Sequence, residues 1–164
     1  MKGKSDMPLR RILCWALLAV GLLTACGPEG DIVLPTAETV VQETLSEDGS
    51  YTTKEDVALY LHLYGHLPEN YLTKSEARDL GWDSYAGNLW EVAPGMSIGG
   101  DRFGNYEGLL PEEEGRTYFE CDIGYEGGRR NARRIIFSND GLIFYTEDHY
   151  ETFEQLYGEG GLDE

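Results

Sequence analysis

The chain has 164 residues, enough for one domain with an extension at each end, and carries 30 Asp and Glu against 13 Lys and Arg, a formal net charge of −17. A surface this acidic suits solubility and repels polyanions, so charge alone argues against nucleic acid as a partner. The three histidines and three cysteines show no ligand spacing, which argues against a metal centre.

The first segment reads as an export signal. Lys2, Lys4, Arg10 and Arg11 form a basic start, followed by the apolar run ILCWALLAVGLL at 12–23. That run falls short of the roughly 20 residues of a bilayer span, so residues 1–25 are expected to be a signal peptide. The run closes on Leu23-Thr24-Ala25-Cys26, which resembles a bacterial lipobox. The expectation is a lipoprotein held by lipid on Cys26 at the outer face of the bacterial membrane, or else released. Cys14 leaves with the signal, so Cys121 stays alone in the folded part and no intradomain disulfide can form. Residues 1–25 hold four cations and one anion; without them 9 cations face 29 anions, a net charge of −20.

Residues 26–50 are acidic, lack a sustained period and read as a tether. The domain is expected over 51–157, with a frayed acidic tail at 158–164. Its first half reads helical. Val57, Tyr60, Leu61 and Tyr64 fall on one helix face, with Thr53 as N-cap and Gly65 as stop. Thr73-Lys74-Ser75-Glu76 is a capping box that opens a short helix ending near Gly81, and a third short helix is expected over 87–92. The period then changes. Phe119, Cys121 and Ile123 alternate with Tyr118, Glu120 and Asp122, and runs at 132–138 and 142–147 are joined by the hairpin signal Asn139-Asp140-Gly141. Helices first and strands afterwards predict an α+β fold, N-terminal helices packed on a C-terminal antiparallel sheet.

Glu120 is placed by this alternation on the strand face opposite Cys121. Arg129, Arg130, Arg133 and Arg134 follow within a few residues, four of the nine cations left after residue 25. Such a knot in an acidic protein serves either internal salt bridges or a focused anion site. His149 lies near a strand end in TEDHYETF (146–153). A carboxylate base, an imidazole acid and guanidinium groups between them are the parts needed for phosphoryl transfer within RNA.

From about Tyr51 to Leu156 the chain resembles the barnase-type secreted microbial guanyl-specific ribonucleases. The resemblance rests on LPENYLTKSEARDLGW (67–82), GNLWEVAPGMSIGGD (87–101), EGLLP (107–111), GRTYFECDI (115–123) and DHYETF (148–153). It implies the microbial ribonuclease fold, with Glu120 as general base and His149 as general acid. It further implies that Lys74, Arg130 and Arg134 bind phosphate and that Tyr150 packs at the substrate. Phe103, Gly104, Asn105 and Tyr106 would form a guanine loop, with Glu107 accepting from the base. The implied reaction is metal-independent and cofactor-free, giving a 2′,3′-cyclic phosphate from single-stranded RNA. The implied partners are RNA and a small barstar-like inhibitor protein, and the enzyme would be a monomer. A catalytically weak RNA- or inhibitor-binding surface lipoprotein of the same fold is the alternative.

The chain departs from the family in several places. Tyr106 stands where the guanine loop carries an arginine, and Gly104 where it carries a serine. Met96 replaces a lysine, and Gly65 replaces a histidine at the end of the first helix. Tyr106 puts guanine preference in question without touching the acid–base pair.

Overall fold

The structure is a computed structural model that describes residues 44–159. The expected signal segment 1–25, Cys26, the tether as far as residue 43 and the tail from residue 160 lie outside these residues.

The first helix, α1 (Lys54–Tyr64), starts where Thr53 accepts from Asp56 N. It stops at Gly65, whose φ of 74 suits a residue without Cβ and lets its N–H reach Leu61 O. The second, α2 (Lys74–Asp79), opens on the Thr73/Glu76 capping box, with both reciprocal hydrogen bonds made. A third, α3 (Leu89–Val92), is a single turn.

Six strands follow the order β1-β2-β3-β4-β5-β6 in one sheet. They are β1 (Tyr71–Leu72), β2 (Ser97–Phe103), β3 (Tyr118–Asp122), β4 (Arg134–Ser138), β5 (Ile143–Thr146) and β6 (Glu154–Tyr157). The pair β1–β2 is parallel and the rest are antiparallel. This is the expected α+β arrangement. Strands β3 to β5 and the turn at Asn139-Asp140-Gly141 stand as the periodicity predicted. Strands β1, β2 and β6 add to the expected set.

The two sheet faces have separate cores. Val57, Ala58 and Leu61 of α1 pack on Cys121, Ile123, Ile135 and Ile143. Full burial stabilises each large apolar side chain by roughly 1.5–3 kcal/mol, so this face anchors the helix. On the opposite face Tyr118, Ile136 and Phe144 pack with Leu110 and Leu142. Glu120, Asp122 and Arg134 share that second face, which is buried rather than washed by solvent. A third cluster of Ala77, Trp82, Leu89, Ala93, Ile98 and Tyr125 ties α2 and α3 to β2.

The domain also begins earlier than residue 51. Tyr64 OH donates to Leu45 O at 2.6 Å, Tyr60 OH to Glu47 O at 2.9 Å, and Tyr51 OH to Ser46 O at 3.0 Å. The hydroxyls of Tyr60 and Tyr64 thus tie residues 45–47 to α1, and that of Tyr51 closes the segment on itself, so the last residues assigned to the tether are part of the fold. The sequence hid this because the partners are backbone carbonyls, which carry no side-chain signal.

Candidate active site

Glu120 sits at the centre of β3, between Asp101 of β2 and Ile136 of β4, and is only 7% exposed. A carboxylate so placed needs partners. Lys74, the first residue of α2, brings its Nζ onto Oε1, and Tyr150 OH donates to Oε2 at 2.5 Å. The start of α2 is itself docked, because Lys74 N donates to Asp101 Oδ2 at 2.8 Å. Burial alone would raise the Glu120 carboxyl. The hydrogen bonds from Lys74 and Tyr150, with the charges of Lys74 and Arg130, outweigh it and hold the group below the ordinary carboxylate range. Tyr150 shifts the other way: burial and the neighbouring carboxylate push its hydroxyl well up, so it remains a donor.

Two residues along the same face lies Asp122, 1% exposed. Arg130 grips it with both prongs, Nε to Oδ2 at 2.6 Å and Nη2 to Oδ1 at 2.5 Å. Arg134, itself buried, places Nε 3.0 Å from Oδ1, an ionic contact without hydrogen-bond alignment. Its Nη1 donates to Asn131 O at 2.8 Å and Arg133 O at 2.6 Å. Of the two readings of the arginine knot, internal salt bridges are what Arg130 and Arg134 make here, and the bridged pair lies on the same sheet face as Glu120. Lys74, Arg130 and Arg134 are thus gathered on Glu120 and Asp122, with the Asp101 carboxylate held at the backbone of Lys74.

His149 lies in the turn between β5 and β6. It and Tyr150 have φ of 62 and 77, left-handed values that cost about 1–3 kcal/mol each in residues other than glycine. Asp148 holds the turn. Its carboxylate accepts from Thr152 Oγ1 at 2.5 Å, Thr152 N at 3.0 Å, Thr146 Oγ1 at 2.8 Å and Glu151 N at 3.1 Å. These bonds, led by that from Thr152 Oγ1, hold its carboxyl at about 2. The result is an exposed His149 whose ring centroid lies 4.7 Å from that of Tyr150, the residue hydrogen-bonded to Glu120.

A prediction follows for Asp148, which positions the turn but reaches no other part of the site. Asp148→Ala should lower kcat on the order of 100-fold through displacement of His149, with KM changed far less. Steady-state kinetics beside a melting curve check this, and an unchanged kcat would show that the turn keeps its shape unaided. The depressed carboxyl also sets a pH window. Its stabilisation is complete above about pH 4, the range of an unfolded Asp, and is lost as pH falls towards its folded value.

The 103–107 loop begins at Phe103, whose ring lies 5.3 Å from that of Tyr150. Asn105 braces the loop: Nδ2 donates to Leu110 O at 2.8 Å, and Oδ1 accepts from Leu110 N at 3.0 Å. Its side chain is therefore occupied, which leaves loop backbone rather than amide for a base. Tyr106 is 94% exposed, and its ring lies over Gly104, where a Cβ would come within 2.3 Å of it. Glu107 is exposed and makes no side-chain hydrogen bond among the described residues. Lys74 and Tyr150 touch Glu120, Arg130 and Arg134 pair with Asp122 on the same face, and Phe103 and His149 adjoin the ring of Tyr150. Tyr106 and Glu107 make no side-chain hydrogen bond to this cluster among the described residues. Among the described residues no three His, Cys, Asp or Glu converge as metal ligands.

Sequence reading missed the roles of Asp122 and Asp148. The alternation already put Asp122 beside Glu120 on the face that the arginines approach. Asp148 carried the weaker signal of an Asp flanked by Thr146 and Thr152.

A buried carboxylate between cations on one sheet face, bordered by an exposed histidine turn, has the chemistry to hold an anionic group and move a proton beside it. The ribonuclease family model matches residues 54–157, and the chain belongs to that family. It is 56% identical over 104 residues to a ribonuclease of Heyndrickxia coagulans, covering 63% of this chain and 95% of that protein. A Bacillus intermedius ribonuclease shows the same identity over the same length, but there the match spans 64% of the relative. Guanyl-specific ribonuclease St of Saccharopolyspora erythraea is 44% identical over 55 residues, 33% of this chain and 54% of that protein. The barnase-type resemblance read from the sequence stands.

Proposed function

We propose that this ribonuclease cleaves single-stranded RNA by internal transphosphorylation, with Glu120 as base and His149 as acid. Glu120 takes the proton of a ribose 2′-OH, whose oxygen forms a bond to phosphorus. The bond from phosphorus to the 5′-oxygen breaks, and that oxygen takes a proton from His149. The products are a 2′,3′-cyclic phosphate and a free 5′-hydroxyl. Lys74, Arg130 and Arg134 bear the charge on the non-bridging oxygens. Arrival of that phosphate draws Lys74 away from Glu120, which removes a bond to the ionised carboxylate and makes it a better base. The observation that supports this most is a buried, ionised Glu120 joined through Tyr150 to the histidine turn.

Guanine is the base proposed for the 103–107 loop, because Glu107 is free to accept from the base's two adjacent donors. Export and lipid attachment at Cys26 rest on the pattern at 12–26. A barstar-like inhibitor would have to engage the arginine floor, since the remaining surface is acidic.

The test is cleavage of GpU and ApU by the domain. GpU should be preferred, and Glu107→Ala should lower its kcat/KM roughly 10- to 100-fold, the value of charge-assisted hydrogen bonds, with ApU little changed. Equal rates on the two substrates would remove the guanine assignment while leaving cleavage intact.

A further inference from the structure

Tyr85 is 84% exposed, yet its turn is firmly held. Tyr85 N donates to Asp83 Oδ1 at 2.8 Å, Gly87 N to Asp83 O at 3.0 Å, and Asp83 N to Asn88 Oδ1 at 2.8 Å. Gly87 has a φ of 69, and a Cβ there would fall 2.7–2.9 Å from backbone atoms of Gly128 and Arg129. Backbone therefore lies on backbone, which only glycine permits. The turn that presents Tyr85 is docked on the segment that carries Arg129 and Arg130. Arg130 is committed to Asp122, but Arg129 is exposed and forms no ion pair among the described residues.

The register shows where this lies relative to the chemistry. Phe103 pairs with Tyr118 and Asp101 with Glu120, so the base loop leaves the sheet at the Tyr118 end of β3. Asp122 and its arginines mark the other end. Tyr85 thus stands beyond Glu120 as seen from the base loop. Along α2, Lys74 and Leu80 are separated by about 9 Å of helix, and the Tyr85 turn follows. A base reaching Tyr85 belongs to a nucleotide outside the pair joined by the cleaved bond.

We propose that Tyr85 and Arg129 form a flanking-nucleotide subsite, the ring taking a base of single-stranded RNA and the guanidinium a phosphate. The assignment rests on the ribonuclease reading above. Stacking is tolerant of base identity and needs no favourable net charge, which suits a chain whose overall field repels RNA.

The experiment compares GpU with a hexanucleotide carrying one G between flanking nucleotides. Tyr85→Ala should lower kcat/KM on the hexanucleotide roughly 5- to 100-fold, the effect of losing one stacked base, and leave GpU unchanged. Tyr85→Trp should retain activity on both, and Arg129→Gln should weaken only the hexanucleotide and flatten its salt dependence. No loss on the hexanucleotide, or an equal loss on GpU, overturns the subsite. If the unaltered protein cuts neither substrate, the ribonuclease reading fails instead. The subsite is then decided by fluorescence anisotropy with a hexanucleotide containing 2′-deoxyguanosine, where an unmoved Kd in Tyr85→Ala overturns it.

Discussion

Replacing His149 by Ala, or Glu120 by Gln, is expected to lower kcat/KM for GpU by roughly 100- to 10,000-fold, the range of a lost general acid or base. Each variant removes one proton transfer and leaves Lys74, Arg130 and Arg134 in place, so binding of a nucleotide product should survive. Activity undiminished in His149→Ala would refute the mechanism. The pH profile adds a second reading. Glu120 is held ionised by Lys74 and Tyr150, so its folded value is depressed. The acid limb of kcat/KM, which reports the free enzyme, should therefore lie below the ~4.3 of an unperturbed Glu. The same shift contributes to stability above that pH, and the contribution is lost as pH falls through the folded value. Lys74→Met removes the foremost hydrogen bond while burial remains, so the acid limb should move upward. A limb that stays put would mean that Lys74 does not control the base.

The second large effect falls on a residue that performs no chemistry. Asp122→Ala should destabilise the domain by roughly 3–5 kcal/mol, the usual result of removing one partner from a buried ion pair. Arg134, 3% exposed along its side chain, would keep its charge with no carboxylate beside it. At about 4 °C per kcal/mol for a domain of this size, the melting temperature should drop by roughly 12–20 °C. Adding Arg134→Met should recover much of that loss, because the stranded charge goes too. A double mutant no more stable than Asp122→Ala would show that packing, not charge, sets the effect. On the proposed mechanism activity should fall in both, because the single variant releases Arg134 from Asp122 and the double variant lacks Arg134 altogether.

Much of the frame was legible in the sequence because its signals are local. Thr53, Gly65 and the Thr73/Glu76 box delimit helices by satisfying orphan backbone groups within a few residues. The alternation through Phe119, Glu120 and Cys121 put Glu120 on the correct face, since strand side chains must alternate. Strands β1, β2 and β6 were illegible for the opposite reason. β1 is two residues long and exists only through the pairing of Tyr71 with Ser97 and Leu72 with Ile98, and β2 runs through Gly99-Gly100 with a register shift that breaks its alternation. β6 is a four-residue edge strand with no buried residue.

The sequence by itself determined which chemical groups this ribonuclease has to work with: one strand carboxylate, one histidine before a tyrosine, and a knot of arginines in an acidic chain. Local chemistry and chain periodicity suffice for that. Tertiary structure alone decided which group meets which. The β3–β4 register sets Asp122 opposite Arg134, and the docking of α2 on β2 carries Lys74 to Glu120. Contact of the 83–88 turn with the arginine segment leaves Tyr85 at the rim. These pairings join residues far apart in the chain, and their energies arise only once burial has removed the water between them.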